Sequence, residues 1–277
     1  LEDIYIQNTN PSSITFEDRT FYKADCCTLL VPQGCKELYL ADSRWSIFGY
    51  IDEYPKEHSD ELSYEIISEE DATCKVTGSV IGKTYSGDIE IPETTTINGK
   101  KYTVVAIADY SFADYSKILS VTIPTTITEI PESSFYNCRS LSSVEMPNTI
   151  TAIRDRAFEG CISITSINIP SSVTYIGYLA FDDCVGLTSV SIPDSVTDIG
   201  SGAFADCDNL TAFYGKFASE DNRCLIFNGN LNAFARKDIE SYTIPNTVNS
   251  IGYVAFYRCT GLTSIIIPNS LTVIGMY

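Results

Sequence analysis

The sequence predicts a β-rich solenoid: short repeated turns stacked around a parallel sheet, with brief helical turns on the far side and a small α+β cap domain at the N-terminus. Three observations predict it. Proline follows an apolar residue at Ile123-Pro124, Met146-Pro147, Ile169-Pro170 and Ile192-Pro193, in steps of 23, and again at Ile244-Pro245 and Ile267-Pro268 after a jump of 52. Phenylalanine keeps the same period at Phe112, Phe135, Phe158, Phe181, Phe204 and Phe256, as does cysteine at Cys138, Cys161, Cys184, Cys207 and Cys259. Apolar residues fix two further phases, at Ile118, Leu141, Ile164, Leu187, Leu210 and Leu262 and at Ile130, Ile153, Ile176, Ile199, Ile251 and Ile274.

One unit, Leu187 to Cys207, explains the stacking. Leu187, Val190 and Ile192 alternate with small polar residues in the strand manner, and Pro193 ends the strand because it has no N–H for a ladder. Val196 and Ile199 suggest a second short extended piece, closed by Gly200. Ala203, Phe204 and Cys207 have the spacing of one inward-facing helical turn. A unit this short has three apolar sides and cannot bury itself. It must lie on copies of itself, which puts like residues over like at the ~4.8 Å spacing of neighbouring strands.

The units LSSVEMPNTITAIRDRAFEGC, ITSINIPSSVTYIGYLAFDDC and LTSVSIPDSVTDIGSGAFADC resemble the BspA-like branch of the leucine-rich repeat family. The resemblance implies a right-handed leucine-rich-repeat-type coil. It also implies an organisation. Residues 1–57 resemble the last repeat and closing cap of a preceding array: Leu1 to Ile6 as an inner strand, then Cys27 to Tyr54 as a strand, a turn, an amphipathic helix bearing Trp45 and Phe48, and a final short strand. The boundary falls near Tyr54–Asp60. Residues 58–277 resemble a second array, with an opening β cap over 58–107 and repeats over 108–277.

Within the opening segment, LSYEII and TCKVTGSV read as paired strands, and Asn98-Gly99 is a strong hairpin signal. Residues 213–243 break the period. Cys224 to Ala235 reads there as a hairpin inserted around Asn228, Gly229 and Asn230, in place of one ordinary unit. The chain starts at Leu1 rather than Met and stops in mid-repeat at Ile274-Gly275-Met276-Tyr277, so it reads as an excerpt of a longer multi-array protein. Two raw ends predict head-to-tail self-association, with residues 1–55 of one molecule docking on the 269–277 end of another.

Composition narrows the function. With 18 basic and 36 acidic residues the formal charge is −18, and the basic residues are scattered, which excludes a phosphate-tracking patch and hence nucleic acid. No apolar run approaches the ~20 residues of a membrane-spanning helix. The only histidine, His58, falls in the linker, so neither a Ser-His-Asp triad nor a multi-histidine metal site fits the repeats. The periodic cysteines lack local zinc spacing and read as a buried ladder of small hydrophobes. Cys26, Cys27 and Cys35 lie outside the ladder, and a bridge such as Cys26 to Cys35 stays open. The run Ser68-Glu69-Glu70-Asp71 lacks the pattern of a calcium loop. The sequence therefore predicts no catalytic residue, no metal and no cofactor.

What remains is surface. The outward positions of the inner strands, among them Ser120, Ser143, Ser166, Ser189 and Ser191, are small and polar until Tyr214 beside the hairpin. The turn side carries Tyr175, Tyr178, Tyr253 and Tyr257, residues that bring rigid contact area with a hydrogen-bonding tip. Tyr214, Asn228, Asn230 and these four tyrosines are the candidate binding residues. A repeat without a catalytic cluster points to a binding module rather than an enzyme. The resemblance adds a cell-surface or secreted setting and adhesion to host or extracellular-matrix proteins such as fibronectin or fibrinogen. The alternatives are a structural spacer between other surface modules and the non-catalytic part of a larger enzyme.

Overall fold

The computed structural model describes residues 3–5, 11, 28–31, 35–48, 50–53, 62–79 and 85–276. The chain divides into two compact units, residues 1–58 and 59–277. Cys26, Cys27 and the linker with His58 lie outside the described residues.

In the first unit, β1 (Asp3–Tyr5), β2 (Thr28–Val31) and β3 (Tyr50–Glu53) form a parallel sheet in that order. Between β2 and β3 the sequence predicts one amphipathic helix bearing Trp45 and Phe48. The structure has α1 (Lys36–Ala41) and then a separate 3-10 helix, Ser43–Ile47. Asp42 makes the break: its backbone is extended, at φ −98 and ψ 105, and its side chain accepts a bond from the Arg44 N–H at 3.2 Å. Trp45 therefore sits in the 3-10 helix and Phe48 just after it. Both are buried with Tyr39, Leu29, Val31, Cys35 and Ile51, and the Tyr39 and Trp45 rings lie 4.8 Å apart.

The second unit opens with β4 (Leu62–Ser68), β5 (Thr73–Ser79), β6 (Ser86–Glu90), β7 (Thr94–Ile97) and β8 (Lys100–Ile107). Four of these make a sheet in the order β4-β5-β8-β7. Asn98 at φ 50 and Gly99 at φ 80 close the β7–β8 hairpin in the geometry that pair of residues favours. The acidic run after β4 is a turn, in which the Ser68 hydroxyl donates to Asp71 at 2.9 Å and Glu69 is held by Lys100 and Tyr102.

The periodic region then alternates strands with turns: β9 (Lys117–Thr122), β10 (Glu129–Ile130), β11 (Ser143–Glu145), β12 (Ala152–Ile153), β13 (Tyr175–Ile176), β14 (Ser189–Ser191), β15 (Asp198–Ile199) and β16 (Ala212–Tyr214). All pairing among them is parallel, and partners stand 23 residues apart, as in the row Ile130, Ile153, Ile176 and Ile199. β6 joins the same stack on β9, with Ile89 beside Val121. Residues 164–169 form no strand between β11 and β14, yet Ile164 and Ile169 stay buried in column. Packing holds that segment, helped by one inter-turn backbone bond, from the Thr188 N–H to the Thr165 carbonyl at 3.1 Å.

The phenylalanine column is the spine. Phe112, Phe135, Phe158 and Phe181 are fully buried, with neighbouring rings 5.2 to 5.4 Å apart, and the column extends to Phe204. The corner that carries them is not a helical turn, contrary to the spacing of Ala203, Phe204 and Cys207. Two residues four apart take positive φ in each corner: Tyr110 and Asp114, Ser133 and Asn137, Leu179 and Asp183, Val254 and Arg258. That breaks any helix. The corner amides turn sideways instead, from Phe112 to the Ser134 carbonyl, Phe135 to Ala157, Phe158 to Ala180 and Phe181 to Ala203. Each turn satisfies its backbone on the next.

The irregular unit is a hairpin, β17 (Cys224–Phe227) and β18 (Asn230–Phe234), joined by Asn228 at φ 51 and Gly229 at φ 78. It is followed by β19 (Ser241–Thr243), β20 (Ser250–Ile251), β21 (Ser264–Ile266) and β22 (Val273–Ile274). β18 pairs in parallel with β20 and so occupies the level of a missing turn. Among the described residues no helix is long and apolar enough to cross a membrane.

Candidate functional site

The cysteine column lies directly behind the phenylalanines. The thiols of Cys138, Cys161, Cys184 and Cys207 donate to the carbonyls of Phe112, Phe135, Phe158 and Phe181 at 3.0, 3.2, 3.3 and 3.3 Å. Burial pushes the Cys138 thiol up to about 12 and drives Cys161, Cys184 and Cys207 upward as well. Such thiols are neither nucleophiles nor metal ligands. Every cysteine described, Cys35 and Cys74 included, is free.

A second constellation superficially resembles an activated nucleophile. Within the irregular unit, Cys224 Sγ lies 3.2 Å from the Tyr242 hydroxyl, which donates to Asp221 at 3.3 Å. Burial raises the Cys224 thiol to about 12, so the group is neutral. Asp221 also accepts from the Ser219 hydroxyl at 2.5 Å, and Ser219 Oγ accepts from the Cys224 N–H at 2.9 Å. These contacts pin the hairpin base to the loop before it; their role is structural.

The groove beside the hairpin is the strongest candidate. β18 is a flat strand where neighbouring levels have a looped corner, so the corners before and after it stand proud. Between them lies a groove of about 300 Å³ lined by Tyr178, Leu179, Asp182, Ala205, Asp206, Tyr253, Val254 and Tyr257. Its floor requires Gly202: at φ +66, a Cβ there would meet Leu179 at 2.7 Å and Val254 at 2.9 Å. The Tyr178 and Tyr253 rings are 6.4 Å apart, and Tyr257 is 40% exposed at the rim. Arg236, just past β18, ties the two corners together. It bonds Asp206 at 3.3 Å, pairs with Asp208, and donates to the Tyr257 carbonyl. Arg258 reaches Asp206 at 3.5 Å from the far side.

Electrostatics distinguish the two carboxylates. Asp206 has those two arginines. Asp182 is raised to about 7 by burial first, then by Glu159, Asp206 and Asp183, which are all acids. Burial also raises Glu159 and Asp183.

The structure thus brings Tyr178 together with Tyr253 and Tyr257, which lie 75 and 79 residues further along the sequence but adjacent across the irregular unit. The other candidates stand elsewhere. Tyr175 belongs to a separate hollow with Glu129, Arg154 and Asp155, where its hydroxyl donates to Asp155 at 3.2 Å and the Arg154 guanidinium stacks at 5.5 Å. Tyr214 is 48% exposed at the end of β16. Asn228 is exposed in the hairpin turn, while Asn230 is spent inside the fold, accepting from Ser250 at 2.9 Å and donating to Asn232 at 3.0 Å. Sequence reasoning missed Asp182, Asp206 and Arg236. The available signal was the basic pair Arg236-Lys237 at the end of a largely apolar run, Leu231 to Ala235, facing the acidic Asp206 and Asp208 one level earlier.

The model of the BspA type leucine rich repeat region matches residues 89–220 and 230–277, in six copies. Among solved structures, a leucine-rich repeat protein from Bacteroides ovatus is 28% identical with a TM-score of 0.56, covering 78% of this chain and 66% of its own. The leucine-rich repeat protein of T. pallidum is 24% identical with a TM-score of 0.51, covering 80% of this chain and 86% of its own. The pneumococcal vaccine antigen PcpA is 20% identical with a TM-score of 0.56, covering 79% of this chain and 66% of its own. The chain spans just under two thirds of the Bacteroides ovatus and pneumococcal chains. No curated protein matches it.

Proposed function

Because the chain belongs to the BspA-type leucine-rich repeat family, we propose that it is a non-catalytic protein-binding module of the cell surface or extracellular space, which meets its partner at the tyrosine groove. The convergence of Tyr178, Tyr253 and Tyr257 on one groove carries the reading. Clustered, partly exposed tyrosines around an apolar floor are the composition of contact surfaces. The partner class is host or extracellular-matrix protein, by family resemblance alone. The test is binding of the intact chain to immobilised fibronectin and fibrinogen, beside Tyr253→Ala and Tyr257→Ala. Loss of at least tenfold in both variants supports the groove. Binding that survives both substitutions removes it, and no binding to any matrix protein favours a spacer.

The same proposal includes the architecture. The periodic region is a right-handed solenoid, the expected hand for parallel crossovers. The sheet β4-β5-β8-β7 is its opening cap, since the Ala108 N–H bonds Val76 and the Thr126 hydroxyl bonds Val104 at 2.6 Å, linking sheet to stack. Residues 1–57 are the last repeat and closing cap of a preceding array, supported by the parallel order β1-β2-β3 over a buried aromatic core. Ile266, Ile274 and Met276 are 62, 64 and 72% exposed, an apolar edge suited to a further turn of the same kind. If residues 1–55 of a second copy supply it, sedimentation shows concentration-dependent growth that disappears on deleting them. A monomer at all concentrations rejects that contact.

A further inference from the structure

The geometry points to a cationic side chain, the lysine or arginine of a protein partner, as the group the tyrosine groove receives, with Asp182 as its counter-ion. This rests on the proposed protein-binding reading and names its chemistry.

Charge complementarity carries the argument. Of the two carboxylates in the groove, Asp206 is already held by Arg236 and Arg258. Asp182 is not matched in this way. The charged groups that act on it are Glu159 from the turn before, Asp206 from the turn after, and Asp183 beside it. Behind it stand the neutral thiols of Cys184 and Cys207, and the Tyr178, Tyr253 and Tyr257 rings share the groove with it. Arg156 is engaged at the groove's edge, where its guanidinium pairs with Glu159 at 3.1 Å and stacks over Tyr178 at 5.7 Å. The groove therefore holds a part-buried carboxylate whose charged neighbours are acids, walled by aromatic rings, of which Tyr178 and Tyr257 already take the Arg156 and Arg258 guanidinium groups at 5.7 and 5.5 Å.

An aromatic wall attracts a cation through the negative face of each ring, and a part-buried carboxylate offers it a charge-assisted hydrogen bond. The aliphatic stem of lysine or arginine suits Leu179 and Val254, which form the apolar floor. A neutral ligand would leave Asp182 with a backbone hydrogen bond from Asp183 and only acids among the charged groups that act on it. An anionic ligand would meet Asp182, Asp206 and the ring faces, and is disfavoured by all of them.

The test uses the full chain and tyrosine-ring NMR. The probes are the peptide N-acetyl-Gly-Arg-Gly-amide, its lysine equivalent, and the citrulline peptide, which keeps the shape of arginine without its charge. The expected result is saturable shifts of the Tyr178, Tyr253 and Tyr257 rings with both cationic peptides. Binding of the citrulline peptide should be weaker by about tenfold or more. Asp182→Asn should erase the difference between arginine and citrulline, and its unliganded ring shifts elsewhere report that the fold is intact. Because Asp182 titrates at about 7, cationic binding should weaken roughly tenfold between about pH 8 and about pH 6, as the carboxylate takes up its proton. Equal binding of arginine and citrulline overturns the cation assignment and leaves the groove a protein contact. A free alkyl diamine that binds as tightly as the lysine peptide moves the site to small amines and overturns the partner named here. No groove shifts with any probe overturns the cation assignment and the groove together.

Discussion

The regular turns from Phe112 to Cys207 and the irregular unit that follows differ in how each level satisfies its neighbours. In the regular turns, alternate corner amides find a carbonyl one turn away, those between bond three residues back, and each ring meets an equal ring, as the 5.2 Å Phe181–Phe204 pair does. Repetition itself is the satisfaction rule. At the irregular unit the rule lapses. Phe204 meets Phe213 edge-on at 73°, Phe234 takes up the aromatic contact with Phe256 at 42°, and a single side chain, Arg236, spans the corners. The lesson is that the stack tolerates a different unit if special side chains replace periodic ones, and that the replacement leaves a groove lined by three tyrosines from corners 75 and more residues apart.

The largest expected effect lies in the regular region. Phe181→Ala removes a fully buried ring stacked on both sides, and a well-packed column collapses poorly, so the loss should be about 3–5 kcal/mol. A denaturant midpoint within error of wild type would show that the column does not carry the stack.

Next comes the bridge. The Arg236 side chain is 12% exposed and faces Asp206 at 13%. Arg236→Ala leaves that carboxylate with only the exposed Arg258, and should cost about 1.5–3 kcal/mol. It should also weaken any groove ligand, because the corners lose their tie. If Arg236→Ala is as harmless as an exposed arginine substitution, the two corners are held by packing alone.

Asp182 moves in the opposite direction. Its folded-state value, about 7, lies above the ordinary 3.8. Below about pH 3 the carboxyl is protonated folded or unfolded and contributes nothing. As pH rises toward about 7 the unfolded chain ionises first, so stability falls across that window and the full penalty stands above it. Asp182→Asn should therefore raise the denaturant midpoint at about pH 8 and leave it unchanged at about pH 3. The size is modest, because solvent screens a part-exposed group. A midpoint gain that is equal at both values would mean that shape, not charge, is the cause.

Much of the regular region was legible because it repeats. The phenylalanine, cysteine and isoleucine columns stand buried as far as Phe204, Cys207 and Ile251, whereas Phe256 and Cys259 are only partly buried and Ile274 is exposed; the Asn98-Gly99 and Asn228-Gly229 hairpins stand where the sequence predicts them. The corner was misread for a physical reason: Ala203, Phe204 and Cys207 have helical spacing, but alternate corner amides bond sideways to the next turn, which leaves only single bonds three residues back and no continuous helical run. Periodicity reports which residues face in, not which way the backbone bonds run. The groove was only half legible. Tyrosines announce themselves, whereas Asp182 and Arg236 matter through neighbours that only the irregular unit brings near.

The smallest effects concern hydroxyls, and a pair of serines one strand apart sharpens the comparison further. A hydroxyl residue follows each repeat proline by two positions, at Thr126, Thr149, Ser172, Ser195, Thr247 and Ser270. In the regular turns each donates to a carbonyl 22 residues back: Thr149 to Ile127, Ser172 to Ile150 and Ser195 to Val173, at 2.8, 2.6 and 2.6 Å. Ser189, on the outward face of β14, lies in the strand itself, where backbone pairing with β16 already fixes its level. The two residues share one side-chain chemistry and differ in whether the hydroxyl ties one turn to the next. Ser195→Ala should then cost about 1 kcal/mol, the ordinary net value of one hydrogen bond with a part-buried carbonyl left unpaired. Ser189→Ala should stay within about 0.5 kcal/mol. Thr247 supplies the control from the irregular side, because the level below it is the hairpin rather than a regular turn, and its residue is exposed. Thr247→Ala should resemble Ser189→Ala. Equal losses at Ser195 and Thr247, read from chemical denaturation of the three variants, would show that the hydroxyl column does not depend on regular stacking.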